Sequence, residues 1–187
     1  MRPQKVEDTD FIVAAMTVIR DNGYEGASLN DLAKAIGLKK ASLYHRFPMG
    51  KKEIAQAVLE YVDKWFDANI TDVIDDESKS PQQRLITALE NIKEIYEDGN
   101  KACIMKAVSM NPGLELFSDE LNTSMNKWIS AFKKLALAFG FDEETSENMA
   151  SQVLIGIQGS LIVSKGLKSN DYFLNTLNNI EKMYLNK

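Results

Sequence analysis

Apolar residues recur three or four positions apart along almost the whole sequence, and few residues interrupt them. Only four prolines and ten glycines occur among the 187 residues. Ile12, Ala15, Met16 and Ile19 show the spacing, which places side chains on one face of an α-helix. Because Leu, Ala, Lys, Glu and Ile, most of them good helix formers, are abundant between the breakers, the sequence predicts an all-α protein.

Three helices are predicted in the first fifty residues. The first ends at Gly23. The second follows Ser28, which can cap it, with Asp31 three residues later in the position of a capping box. Gly37 supplies a positive-φ turn residue, and the third helix covers residues 39–47. Two short helices joined by a tight turn that contains glycine predict a helix-turn-helix.

Positive charge is concentrated on this segment, although the chain as a whole has a formal net charge of -5. Six lysines or arginines and no acid lie between Leu32 and Lys52. Such a run is also typical of a solvated face, but the outward side of the third predicted helix has small side chains, which suit close approach to a major groove. The residues predicted to contact DNA are Ser28, Lys39, Lys40, Ala41, Ser42, Tyr44, His45, Lys51 and Lys52.

The run from Phe11 to Val62 resembles the DNA-binding domain of TetR-family transcriptional regulators. The resemblance is carried by Gly23 and Tyr24, by "SLNDLAKAIGL" and above all by "SLYHRFP" followed by lysine. It implies that the helix-turn-helix reads the major groove and that the first seven of the residues named above, together with the lysine that opens the fourth helix, contact DNA.

The sequence departs from the family pattern at several positions. Lys39 stands where a capping Ser or Thr is frequent, Ala41 where Gly is common and Ala27 where Thr is common. The segment "FPMGKKE" is longer than the usual "FPSKE", which leaves open whether Lys51 or Lys52 contacts phosphate. This longer form, together with "CIMKAVSMNP", is similar to the lincomycin-resistance-repressor subgroup.

The predicted organisation is an N-terminal three-helix DNA-binding domain, residues 1–52, followed by a larger helical domain, residues 53–187, for effector binding and dimerisation. Residues 148–164 are apolar nearly all round, which requires two buried sides. Burial within its own domain is one explanation, and a homodimer built on the last two helices is the one favoured here. The residues predicted at that interface are Gly156, Ser160, Ser164, Phe173, Leu177 and Ile180.

The resemblance implies an effector pocket in the C-terminal domain, for a small apolar or aromatic molecule. Candidate lining residues, each of which is more often an ordinary core residue, are Trp65, Phe66, Cys103, Met105, Met110, Phe117, Trp128, Phe132 and Gln158. Cys103, the only cysteine, is an alternative sensor of oxidants or electrophiles, but a buried cysteine is more often an inert apolar residue.

Other classes of protein have weak support. One histidine and one cysteine do not form a metal site of three or four N/S ligands, and there is no phosphate-binding glycine loop, so neither an enzyme nor a cofactor is expected. The charged N-terminus does not resemble a secretory signal and no stretch suits a membrane span, so a cytoplasmic protein is expected. A helical interaction protein whose basic segment binds an acidic partner or lipid headgroups is the remaining alternative.

The sequence therefore predicts a homodimeric transcription factor that binds near-palindromic double-stranded operator DNA and responds to a small effector. Release from the operator by the effector makes a repressor the expected type, while an activator would use the same helix-turn-helix.

Overall fold

The computed structural model of the protein describes residues 8–186, and all regular elements within that range are helical. The prediction of an all-α protein is confirmed. In chain order the α-helices are α1 Asp8–Gly26, α2 Leu29–Ala35, α3 Lys40–Arg46, α4 Lys51–Phe66, α5 Asp72–Asp75, α6 Pro81–Ile95, α7 Ile104–Val108, α8 Gly113–Leu116, α9 Ser118–Ala138, α10 Glu143–Leu167 and α11 Asp171–Leu185.

The chain divides into two compact units. One contains the described residues up to Asp63 together with Ile104–Leu121, and the other contains Lys64–Cys103 and the described residues from Asn122 onward. As a packing unit, the first is therefore larger than the predicted domain of residues 1–52, because it takes in α7 and α8. The functional division at residue 52 stays a prediction.

The first unit is built around the buried faces of α1, α2, α3 and the beginning of α4. Phe11, Ile19, Leu32, Leu43 and Ile54 are fully buried, and Ile19 is one of the residues whose spacing predicted the inner face of the first helix. Gly23 lies in a non-helical conformation with φ 73°, and the helix resumes until Gly26. The predicted break at Gly23 is thus a kink within α1, followed by one further turn.

The segment from Ile104 to Leu121 packs within the first unit. Helix α7 lies against α1 and buries Ile104, Met105 and Val108. Gly113, at the start of α8, approaches the carbonyl of Val108 so closely that a Cβ atom would collide with its oxygen. Both helices are short, with five residues in α7 and four in α8.

The second unit contains α6, α10, α11 and most of α9. Ser80 caps α6 and forms a capping box with Gln83. Asp142 caps α10, which extends beyond the predicted residues 148–164 at both ends. The hydroxyl of the buried Tyr184 in α11 donates to the carbonyl of Phe132 in α9, with an oxygen–oxygen distance of 3.0 Å.

Between α4 and α5 the chain forms one π-helical turn, Asp67–Thr71, that the sequence did not predict. The amide of Asp72 donates to the carbonyl of Asp67, five residues earlier. The side-chain amide of Asn91 in α6 donates to the carbonyl of Asn69 at 2.8 Å, and Lys127 in α9 pairs with Asp67 at 3.0 Å. Neighbouring helices therefore hold the wider turn in place.

Within residues 8–186, no helix combines the length and the apolar character that crossing a membrane would demand.

Candidate DNA-binding surface

The turn between α2 and α3 is fixed by backbone hydrogen bonds. Gly37 has φ 67°, and the amides of Gly37 and Leu38 donate to the carbonyls of Lys34 and Ala33, at 3.2 and 2.9 Å. A positive φ costs glycine nothing, whereas it strains most other residues. The predicted helix-turn-helix is therefore present, and its turn is short.

Helix α3 exposes the face that the sequence assigned to DNA. Leu43 is fully buried on the inner side, while the five exposed residues on the outer side are Lys40, Ala41, Ser42, Tyr44 and His45. Lys39 occupies the N-cap position without a side-chain cap bond, and it is exposed as well. Six of the nine predicted DNA contacts thus lie together on one accessible surface at the beginning and along α3.

Tyr44 is held by the loop that follows α3. Its side chain is 45% exposed, and the edge of its ring lies 3.5 Å from the position that a Cβ atom of Gly50 would take. Gly50 itself has φ 63°. Because Gly50 has no side chain, the Tyr44 ring can pack close to its backbone, and glycine also adopts the positive φ without strain.

Ser28 is engaged in the cap of α2. Its hydroxyl donates to the carboxylate of Asp31 at 2.5 Å and accepts the amide of Asp31 at 3.1 Å. The hydrogen bonds from the Ser28 hydroxyl and amide lower the pKa of the Asp31 carboxyl, and Lys34 adds a smaller effect in the same direction. The capping role predicted for Ser28 is confirmed, while its contact with DNA stays a prediction.

The two lysines at the start of α4 have different surroundings. The ammonium of Lys51 donates to the carbonyl of Glu25 at 3.1 Å and lies 4.6 Å from the centre of the Tyr24 ring. The side chain of Lys52 makes no hydrogen bond or ion pair with the described part of the chain. Sequence reasoning missed both partners of Lys51, since its carbonyl partner is 26 positions away and leaves no local signal.

The predicted effector-pocket residues do not all belong to one unit. Met105, Met110 and Phe117 lie in the first unit, and the other six lie in the second. Met110 is 67% exposed, whereas Met105 and Phe117 are buried. In the second unit, the rings of Phe66 and Trp128 are 4.7 Å apart, and those of Trp128 and Phe132 are 6.2 Å apart.

Two polar groups in the second unit are relevant to the predicted pocket. The side-chain nitrogen of Gln158 is buried and has no hydrogen-bond partner among the described residues. Cys103 is buried, and its sulfur accepts a hydrogen bond from the Tyr96 hydroxyl at 3.3 Å. Effector binding and sensing by Cys103 both stay predictions.

Most of the residues predicted at a dimer interface are buried within the second unit, and the interface itself stays a prediction. Ser160, Ser164, Phe173, Leu177 and Ile180 are buried by the chain itself, and a Cβ atom at Gly156 would lie 3.3 Å from Thr176 in α11. The Ser164 hydroxyl accepts the amide of Phe173 at 3.1 Å. The stripe of small residues therefore serves the close packing of α10 on α11 within one chain.

A helix-turn-helix with a basic, exposed second helix defines a DNA-binding protein. Residues 11–58 match the family described as bacterial regulatory proteins, tetR family. The chain is 26% identical over 146 residues to the uncharacterized HTH-type transcriptional regulator YxaF of Bacillus subtilis (strain 168), an alignment that covers 76% of each protein.

A second relative matches the DNA-binding segment, and a solved structure matches the fold. The chain is 43% identical over 44 residues, or 24% of each protein, to IcaR of Staphylococcus aureus, a negative transcriptional regulator of the biofilm operon icaADBC. A TetR transcriptional regulator from Legionella pneumophila superposes with a TM-score of 0.81 at 21% identity, covering 97% of this chain and 98% of that one.

Residues 11–58 therefore carry a DNA-binding domain of the tetR family, and the comparisons together support a TetR-family transcriptional regulator. The family consists of DNA-binding regulators, and the chain is accordingly not an enzyme. Within residues 8–186, no three His, Cys, Asp or Glu side chains are grouped so that they could hold a metal ion. Membership of the lincomycin-resistance-repressor subgroup stays a prediction.

Proposed function

We propose that the protein is a homodimeric repressor that leaves a near-palindromic operator when it binds a small effector. The observation that carries the proposal is the accessible surface of α3, on which Lys39, Lys40, Tyr44 and His45 surround the small side chains of Ala41 and Ser42. Small residues allow the helix backbone to approach base edges, and the flanking donors suit phosphate oxygens. The similarity to IcaR, a negative regulator, favours repression.

The direct test is fluorescence anisotropy of the protein on its own upstream DNA and on a scrambled duplex, at two salt concentrations. Tight binding of two chains to the upstream duplex, with weaker binding to the scrambled one, is the expected result. Equal and steeply salt-sensitive binding to both duplexes would indicate a non-specific basic patch, and no binding at low salt would refute DNA binding altogether.

Side-chain roles on this surface can be separated by comparing the two duplexes. Lys40→Ala and Ser42→Ala should weaken binding to the operator more than to the scrambled duplex, because their positions face the base edges. Tyr44→Phe removes only a hydroxyl and should weaken binding to both duplexes alike, as expected for a phosphate contact. Equal losses for Lys40→Ala on both duplexes would mean that Lys40 does not read bases.

For the dimer, we propose the outer face of α10 as the interface. Ile155, Ile162 and Leu167 are 62%, 54% and 60% exposed, and Gly159 and Gly166 have open space where a side chain would stand. Positions 155, 159, 162 and 166 follow one stripe of the helix. An exposed apolar stripe that includes glycines suits a second copy of the same helix, since both backbones can come close.

This interface can be tested by sedimentation equilibrium. Ile155→Lys and Ile162→Lys should each shift the protein toward monomers, because a charge would be buried against an apolar partner. Leu137→Lys is a matched control, since Leu137 is an exposed leucine of α9 in the same unit. A dimer that persists in the double variant Ile155→Lys, Ile162→Lys would place the interface elsewhere.

Two features of the second unit support an effector that is flat and apolar with one hydrogen-bonding group. These are the row of aromatic rings formed by Phe66, Trp128 and Phe132, and the side-chain nitrogen of Gln158, which has no partner among the described residues. If the effector binds better to a form of the protein that cannot bind DNA, it weakens operator binding, and operator DNA weakens effector binding by the same factor. The two tryptophans of the chain, Trp65 and Trp128, both lie in the second unit, so candidate effectors can be screened by tryptophan fluorescence and then by release from DNA. Gln158→Leu should lower affinity for compounds with a hydrogen-bonding group, and unchanged affinity would exclude Gln158 from the site.

A further inference from the structure

Among residues 8–186, Lys51 is the one lysine of the basic segment whose ammonium makes contacts within the first unit. It donates to the carbonyl of Glu25 at 3.1 Å, in the last turn of α1, where the carbonyl ends of the helix favour a cation. The same ammonium lies 4.6 Å from the centre of the Tyr24 ring, within the range of a cation–π interaction. Both partners precede α2 by only a few residues.

The Tyr24 ring that receives this ammonium is firmly held. Tyr24 is buried, and its ring meets the fully buried ring of Phe117 edge-on, with centroids 5.1 Å apart and an interplanar angle of 82°. The following turn of α1 is closed by the amide of Ala27, which donates to the carbonyl of Gly23. Lys51 is therefore bound to a rigid part of the unit.

The opposite end of the contact is equally well defined. Lys51 opens α4 directly after Gly50, the glycine under the Tyr44 ring. The carboxylate of Glu53 accepts the amide of Met49 at 2.9 Å, which fixes the loop in front of α4. A bond from Lys51 to Glu25 thus joins the end of α1 to the loop that supports Tyr44 on the DNA-binding surface.

We propose that Lys51 is a positioning residue, which ties the end of α1 to the start of α4 and so orients the helix-turn-helix, and that Lys52 supplies the phosphate contact at this helix end. The proposal rests on the proposed function, because it assigns roles within that DNA-binding surface. A lysine bound to a carbonyl and a ring must break both contacts before it reaches a phosphate. Lys52, one position further along the chain, makes no such contacts and can therefore reach a phosphate without breaking any.

Salt dependence distinguishes the two roles. The logarithm of the DNA-binding constant falls linearly with the logarithm of the salt concentration, and each lost phosphate contact makes this slope less steep by about 0.9. In a dimer with both copies substituted, the slope should therefore become less steep by about 1.8. Binding of Lys51→Met and Lys52→Met to the upstream duplex is measured by anisotropy at five salt concentrations. Lys52→Met should show the reduced slope, whereas Lys51→Met should bind about tenfold more weakly at every salt concentration with the slope of the unsubstituted protein, since a lost hydrogen bond and cation–π contact disturb only the geometry.

A second measurement needs no DNA. Lys51→Met should lower the melting temperature of the free protein, and its effect should shrink in a Tyr24→Leu background because the ring that it contacts is already gone. Lys52→Met is the matched control, and its small effect should be the same in both backgrounds. If Tyr24→Leu does not fold, the comparison of the two single lysine variants still decides.

The outcomes separate the two proposals. A slope reduced equally by Lys51→Met and Lys52→Met, or a melting temperature unaffected by Lys51→Met, would overturn the positioning role. Failure of the unsubstituted protein to bind any duplex would refute the proposed function, and the melting experiment would then still show whether Lys51 ties α1 to α4.

Discussion

The two capping boxes of the chain allow the cap role of Ser28 to be measured against an internal standard. In α2 the amide of Asp31 donates to the Ser28 hydroxyl at 3.1 Å, and in α6 the amide of Gln83 donates to the Ser80 hydroxyl at 3.2 Å. Replacing a capping serine by alanine costs about 1 kcal/mol, which for a chain of this length lowers the melting temperature by about 2–4 °C. Ser28→Ala and Ser80→Ala should therefore destabilise the protein by similar amounts.

Calorimetry of the free protein supplies the measurement, and asparagine supplies the control. Asn caps helices about as well as Ser, so Ser28→Asn should restore most of the stability that Ser28→Ala loses. The difference in stability between Ser28→Ala and the unsubstituted protein should also become smaller at acidic pH. The pKa of Asp31 is lowered in the folded protein, so its stabilising effect is complete above its usual value of about 4 and is lost as the pH falls through the lower folded value.

The reasoning would be refuted if Ser80→Ala lowered the melting temperature and Ser28→Ala did not. The Ser28 hydroxyl would then be free for another role, and a salt slope of DNA binding reduced by Ser28→Ala would identify that role as the predicted phosphate contact.

Three further changes test the packing in the two units. Gly113→Ala should lower the free energy of unfolding by about 2 kcal/mol or more, because the new Cβ would collide with the Val108 carbonyl. Gly26→Ala is the control and should be tolerated, since its Cβ would lie at an ordinary 3.5 Å from Asn22. Equal melting temperatures for the two variants would contradict this reasoning. Burial raises the pKa of Tyr184, so stability should be complete below about pH 10 and fall above it as the unfolded form ionises, and Tyr184→Phe should flatten that decline in urea titrations. Asn91→Leu removes the donor to the Asn69 carbonyl and should cost about 1–3 kcal/mol, measured by the same titrations; no loss would mean that the π-turn does not need Asn91.

Features specified by neighbouring residues were predictable from the sequence. Ser28 with Asp31 and Ser80 with Gln83 form their caps within three positions, and Gly37 marks its turn by itself, so the helix-turn-helix and its exposed face followed from local patterns. These patterns depend on hydrogen bonds that the backbone makes wherever the helix lies.

Features that depend on distant partners were not predictable in the same way. The spacing of Gly156, Ser160 and Ser164 showed that a helix packs closely there, but periodicity does not reveal whether that helix belongs to the same chain. The structure assigns the stripe to α11 of the same chain and leaves Ile155 and Ile162 on the outer face. Similarly, the Lys51–Glu25 contact spans 26 positions, and the segment of α7 and α8 joins the first unit through α1.

The π-turn at Asp67–Thr71 has a consequence for insertions and deletions in this chain. A π-turn holds about one residue more than an α-turn, so it acts as a one-residue insertion within an otherwise regular helix. Deleting one residue there would let the segment close as an ordinary α-helix with the faces of α4 and α5 kept in register. The same deletion inside α4 would rotate every later side chain by about 100° and turn its buried face toward solvent. The segment Asp67–Thr71 is therefore the place in this helical stretch where a change of length is most easily accommodated.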